Sequence, residues 1–190
     1  MVYCLPQDML HLHHKYIDEL KSYFPQLEII GGLPKASNMF GDKLPKLIIM
    51  DDLMTDLFKD PGMTDLFSRH SRHNNISLIF TTQNFYDNGS TKTIVRQCNV
   101  QVIFDNPMDK VLTRSIGSAI TTQQPDFLNN CFQSLRHFFP EEKYPYILID
   151  GSASKKMNDI MFRSHIFPDE SNDIQPICFF QNPQYNKKRN

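Results

Sequence analysis

Residues 47–52 read Leu-Ile-Ile-Met-Asp-Asp, and residues 76–83 read Ile-Ser-Leu-Ile-Phe-Thr-Thr-Gln. Each is a short apolar run that stops abruptly at polar residues. A strand solvated on one face alternates apolar with polar, whereas a nearly continuous apolar run is what a strand buried on both faces of a parallel sheet requires. In open α/β sheets the reacting groups collect just beyond the carboxyl ends of the strands. Here those positions hold Asp51, Asp52 and Gln83.

The same grammar extends outward in both directions. Upstream, Val2 to Leu5 is an apolar strand stub ended by Pro6. From Asp8, in N-cap position, Met9, Leu12, Tyr16, Ile17, Leu20, Tyr23 and Phe24 recur at helical spacing until Pro25 stops the run. An apolar stretch over 27–30, a Gly31-Gly32 break and a polar loop to Lys46 follow. Downstream, the pattern predicts helices over 63–70 and 92–97, a strand over 100–104, and a helix pair around 110–120 and 127–139. A strand over 146–149 closes at Asp150-Gly151, and another over 161–167 closes at Pro168. Strands alternating with helices predict an α/β fold, a mostly parallel sheet flanked by helices. Residues 1–168 form its domain, and the polar segment 169–190, ending Lys187-Lys188-Arg189-Asn190, reads as a flexible tail.

A chain of 190 residues with 40% hydrophobic residues can bury one ordinary core. Its net charge of -1 carries no global footprint for nucleic acid, so any DNA contact must come from a local patch or an assembled ring. The four cysteines, Cys4, Cys98, Cys131 and Cys178, have no paired spacing, which argues for reduced thiols over a zinc knuckle or disulfide framework. No stretch approaches the roughly 18 apolar residues of a membrane span. The N-terminus lacks a charged segment followed by an apolar one, so the sequence predicts neither secretion nor membrane insertion.

An apolar strand ending in paired acids is the form of a Walker B element. Its first carboxylate holds a magnesium ion against the nucleotide's terminal phosphates, and the second can act as general base toward water. The plainer reading is a solvated strand end. Gln83, about 30 residues later, adds an amide that can donate to a phosphate oxygen and accept from water at once; its plainer reading is a turn cap with Asn84.

In combination, LIIMDDLM, MTDLFSRHSRHNNISLIFTTQNFY, VQVIFDNPMDK, YPYILIDGSAS and RSHIFPDE resemble the FtsK/HerA-like DNA-packaging ATPases of large double-stranded DNA viruses and Polinton (Maverick) elements. The likeness covers most of residues 1–170. It implies a P-loop NTPase (RecA-like) fold that binds ATP and Mg2+ and couples hydrolysis to movement of double-stranded DNA. By that resemblance Asp51 is the magnesium-associated acid, acting through water, Asp52 the water-activating acid, and Gln83 the phosphate sensor beside Asn84. Arg69 and Arg72 take the place of an arginine finger toward a neighbouring subunit or of a DNA-phosphate contact; two arginines at a helix C-terminus also simply complement its dipole. Arg96 and Arg114 are lesser candidates of the same kind. The implied partners are double-stranded DNA, further copies in a homo-oligomeric ring and capsid components, inside an infected or element-bearing cell.

The sequence departs from that family at its front. It contains no G-x-x-x-x-G-K-[ST], and Gly31-Gly32 leads into Leu33-Pro34-Lys35, not a Lys-Ser/Thr opening a helix. The expectation is an N-terminally truncated ATPase, poor in hydrolysis alone because the backbone donors and lysine that cradle phosphates are missing. It also implies an exposed central sheet edge. Two other functions stay open. One is a non-catalytic interaction or DNA-binding module. The other is a metal-dependent nuclease in which Asp51, Asp52, His70 and His73 share metal ions, the histidines being read as close to the acid pair. His11, His13 and His14, within one helical turn, read as an exposed polar face, since no further ligands complete a zinc set.

Overall fold

The computed structural model describes residues 1–34, 46–53, 56, 60–83, 94–95, 97–121, 124–152, 161–167 and 175–181. The chain divides into two compact units, Met1–Gln97 and Cys98–Asn190. Each carries its own four-stranded sheet.

In the first unit β1 (Val2–Leu5), β2 (Glu28–Gly31), β3 (Lys46–Met50) and β4 (Ile76–Phe80) are all parallel, in the order β2-β1-β3-β4. Helix α1 (His14–Tyr23) leads to β2. Helix α2 (Pro61–Asp65) runs through a π-helical turn (Leu66–His70) into α3 (Ser71–His73) and then β4. The Asp60 carboxylate accepts the Gly62 N–H at 2.8 Å ahead of Pro61, which fixes where α2 starts. Alternation along the strands splits the core in two. Cys4, Ile48, Met50 and Ile76 pack with Leu53, Met63, Leu66, Phe67 and Ile94 on one face. Tyr3 and Leu5 pack with Ile17 and Leu27 on the other. Strands sandwiched in this way need apolar residues on both faces, as the unbroken LIIM run foretells; β4, read from its sequence as equally buried, instead packs only Ile76, Leu78 and Phe80 and exposes Ser77 and Ile79 at the sheet edge.

The first helix begins later than Asp8. Residues Gln7–Met9 form a 3-10 turn instead, and α1 starts at His14. Met9 and Leu10 of that region pack against the Tyr3/Leu5 core, and burying them outweighs continuing a regular helix. The turn also lies tight against the end of β2, where a Cβ at Gly31 would stand 2.0 Å from Gln7 Oε1 and 2.9 Å from Leu10 Cδ1. Gly32 follows with φ +85° and donates its N–H to the Leu5 carbonyl at 2.8 Å. The glycine pair thus makes a close-packed turn.

The second unit contains β5 (Val100–Phe104), α4 (Lys110–Ile120), α5 (Phe127–Phe138), β6 (Tyr146–Asp150), β7 (Met161–Ser164) and β8 (Ile177–Phe179). The sequence predicts that these strands extend a mostly parallel sheet, and here the structure differs. They form a separate sheet, β5-β6-β7-β8, in which every pairing is antiparallel. The cause lies in the connection. One helical crossing between neighbouring strands returns the chain to its starting end and gives a parallel pair, whereas two antiparallel helices bring it back to the end it left. The α4–α5 pair between β5 and β6 is of the second kind. The core of this unit is Ile116, Leu128, Cys131, Phe132, Leu135, Ile147, Ile149 and Phe162, with Phe127 stacked edge-on to Phe162. Strand β8 falls within residues 169–190, which the sequence reads as a polar tail; its Ile177 and Phe179 pair with Ser164 and Phe162.

The helix expected over 92–97 lies only partly within the described residues, and Asn84 and Arg96 lie outside them. No helix among the described residues is long and apolar enough to cross a membrane.

Candidate functional site

Three parallel strands point their carboxyl ends the same way, and backbone hydrogen bonds stitch those ends one step beyond the strands. The Asp51 N–H donates to the Cys4 carbonyl at 2.9 Å, and the Thr81 N–H to the Met50 carbonyl at 3.0 Å. This brings the residues after β1, β3 and β4 around one open cleft of about 330 Å³. Leu5, Pro6 and Met9 form an apolar wall; Asp51, Asp52, Thr81, Thr82 and Gln83 form a polar one, with Tyr3 and His13 completing the lining. Such a volume is at the small end of ligand sites, of order 300–1,000 Å³.

The Asp51 carboxylate is held on both oxygens by neutral hydroxyls. Tyr3 Oη donates to Oδ2 at 2.5 Å, and Thr81 Oγ1 donates to Oδ1 at 2.6 Å. Both distances lie at the short end for O–H···O hydrogen bonds. Burial, and then the hydrogen bond to Asp51 and the charge of that carboxylate, push the Tyr3 phenol well above its ordinary range, so it stays a proton donor at neutral pH. Thr81 Oγ1 also accepts the Asp52 N–H at 3.2 Å. Asp52 itself has φ +52°, a left-handed conformation that aspartate tolerates better than most residues, and its side chain is exposed. Among the described residues no cationic side chain pairs with Asp51 or Asp52. Among the described residues the cleft thus holds two carboxylates with no lysine or arginine paired to them.

The structure brings together Asp51, Asp52 and Gln83, but not Arg69 and Arg72. Both arginines are exposed, in the π-helical turn and in α3 just before β4 begins. At that end of the sheet the Lys46 N–H donates to the Asn75 carbonyl. The acid pair lies beyond the other end of β3, about 16 Å from Lys46 at roughly 3.3 Å per residue. The same geometry overturns the reading of His70 and His73 as neighbours of the acid pair: they share the amino-terminal end with the arginines. Arg114 lies in the second unit, paired with Asp126 at 3.3 Å.

Sequence reasoning missed Tyr3, Thr81 and His13 as cleft residues. Tyr3 reaches Asp51 only because β1 inserts beside β3, a pairing of segments 48 residues apart that no local pattern reveals. Thr81 had a weak signal, as the first residue after the ISLIF run, two positions before Gln83.

The four cysteines are free thiols, and burial pushes Cys4 and Cys131 up to about 12 and Cys98 up to about 11. Groups of three or more histidine, cysteine, aspartate or glutamate side chains able to hold a metal are absent among the described residues. No protein-family model matches the chain, and no curated protein or solved structure matches it either.

Proposed function

We propose that the chain carries the acid-pair and sensor portion of a P-loop-type, FtsK/HerA-like ATPase that moves double-stranded DNA. One observation carries the reading: Asp51, Asp52 and Gln83 line a single cleft at the carboxyl ends of two adjacent parallel strands. That is where phosphoryl-transfer sites of open α/β sheets lie.

The donor set suits magnesium. Mg2+ prefers one or two carboxylates, substrate phosphates and retained waters over an all-protein cage, and Asp51 and Asp52 supply two carboxylates at the cleft. When bound, the ion supplies neutralisation of the charge on the terminal phosphates. Asp51, fixed by two hydroxyls, would hold it through water. Asp52 accepts a proton from the attacking water, and Gln83 orients that water or donates to a phosphate oxygen. Arg69 and Arg72 are exposed away from this cleft, which suits contact with a second copy in a ring or with DNA phosphates.

The 190 residues contain no recognisable phosphate loop, so the test supplies one. A phosphate-loop strand and helix joined ahead of Met1 should give DNA-stimulated ATP hydrolysis, and Asp52→Asn should lower kcat at least about 100-fold. Asparagine keeps the left-handed backbone and removes only the base. Unchanged turnover in that variant overturns the reading.

A further inference from the structure

We infer that Tyr3 and Thr81 are positioning residues of the cleft: their two hydroxyls clamp the Asp51 carboxylate, and Thr81 at the same time fixes the backbone of Asp52. The inference deepens the proposed ATPase reading, on which its turnover arm rests, while its structural arm stands without it.

A carboxylate at a strand tip has two side-chain torsions, and its charge can swing freely unless something holds it. Asp51 is held from both sides by two different strands. Tyr3 comes from β1 and Thr81 from the residue after β4, so the acid is spanned across the tips of three neighbouring strands. Each hydroxyl takes up one lone pair on one oxygen. A carboxylate has about four acceptor positions, so two hydroxyls do not exhaust it.

The choice of neutral donors matters as much as their number. A lysine or arginine in place of Tyr3 or Thr81 would orient Asp51 equally well but would cancel its charge. A hydroxyl orients the carboxylate and leaves the negative charge for a cation or for developing positive charge on a ligand.

Thr81 has a second task. Its oxygen donates to Asp51 and accepts from the Asp52 N–H, so one side chain links the two acids. Asp52 sits at φ +52°, where its backbone would relax toward commoner conformations if that bond were lost. Loss of Thr81 would thus free Asp51's torsions and Asp52's backbone together. Gln83 lies two residues further along the same segment, so a ligand that draws on Gln83 also pulls on the residue that sets both acids.

The test pairs two measurements on Thr81→Val, Thr81→Ser and Tyr3→Phe. On the chain as it exists, amide hydrogen exchange should quicken about tenfold at Asp52 in Thr81→Val, the loss of roughly one hydrogen bond. Exchange in β3 should stay unchanged, and Thr81→Ser should restore the wild-type rate. On the phosphate-loop fusion, Thr81→Val and Tyr3→Phe should each lower kcat about tenfold and raise the Mg2+ concentration for half-maximal rate, with Thr81→Ser rescuing both. Unchanged exchange at Asp52 in a folded Thr81→Val overturns the inference. So does faster exchange with wild-type turnover in both hydroxyl-deleted variants. A wild-type fusion without turnover, alongside faster exchange in Thr81→Val, sinks the ATPase reading alone and leaves the clamp standing.

Discussion

The two units treat strand-end acids in opposite ways. In the second unit, Asp105 directly after β5 is gripped by the Arg136 guanidinium, and Asp150 at the end of β6 pairs with Arg163 at 3.2 Å. In the first unit, Asp51 meets only hydroxyls and Asp52 meets no cation among the described residues. The antiparallel arrangement of the second sheet sends successive strand ends to alternate sides, so each acid is left to a local partner. The parallel arrangement of the first gathers three ends in one place, and among the described residues no lysine or arginine cancels the charge there. A compensated acid serves the fold, whereas an uncompensated one is available to something outside it.

The largest effect that can break this contrast comes from removing a guanidinium. Arg136→Ala leaves the Asp105 side chain, only 3% exposed, without its cation and should destabilise the second unit by about 3–4 kcal/mol in urea unfolding. Asp51→Asn should cost the first unit less than about 1 kcal/mol, since an amide still accepts from one hydroxyl and no buried cation is orphaned. Equal losses in the two variants would mean that Asp51 is as structural as Asp105.

A smaller effect sharpens the role of Asp52. Asp52→Asn should leave stability nearly unchanged, while Asp52→Val forces a β-branched residue to φ +52° and should cost about 1–2 kcal/mol by thermal unfolding. If valine is tolerated as well as asparagine, the left-handed turn is not held by the strand tips.

The smallest effect is a pH dependence. The Tyr3 pKa is raised in the folded state, so the native chain keeps a proton that the unfolded chain releases near pH 10. That contribution is complete below about pH 10 and is lost as pH rises further. The buried thiol of Cys4, raised from 9.0 to about 12, acts in the same direction from about pH 9 upward. Unfolding temperatures should therefore fall through this alkaline window, and the fall should be shallower in Tyr3→Phe. An identical slope in that variant would remove Tyr3 from the account.

Much of the first unit was legible in the sequence because its signals are local. The run LIIM followed by Asp51-Asp52, and ISLIF followed by Thr-Thr-Gln, name both strands and their polar tips, though ISLIF is buried on one face only, with Ser77 and Ile79 exposed. What the sequence hides is which segments lie side by side. The place of β1 next to β3 decides that Tyr3 touches Asp51, and it rests on long-range pairing. The direction of the second sheet was hidden for a different reason: VQVIF and YILID read alike in parallel and antiparallel settings. Its clue was present in the two consecutive helical patterns between them, since an even number of crossings reverses the returning strand. The arginines of the 69–72 stretch were correctly read as ending a helix, but that helix ends at the far edge of the sheet from the acids.

The apolar wall of the cleft is backed by a close-packed glycine outside it. Gly31 lines no part of the opening, yet it is the floor on which Gln7 and Leu10 rest, and that stretch supplies Pro6 and Met9 to the apolar wall and leads on to His13. A methyl group at position 31 would meet only the far ends of the Gln7 and Leu10 side chains, which can rotate aside without moving the backbone between them. Side chains outside the cleft thus absorb a change at this glycine, while every acid and hydroxyl inside remains in place.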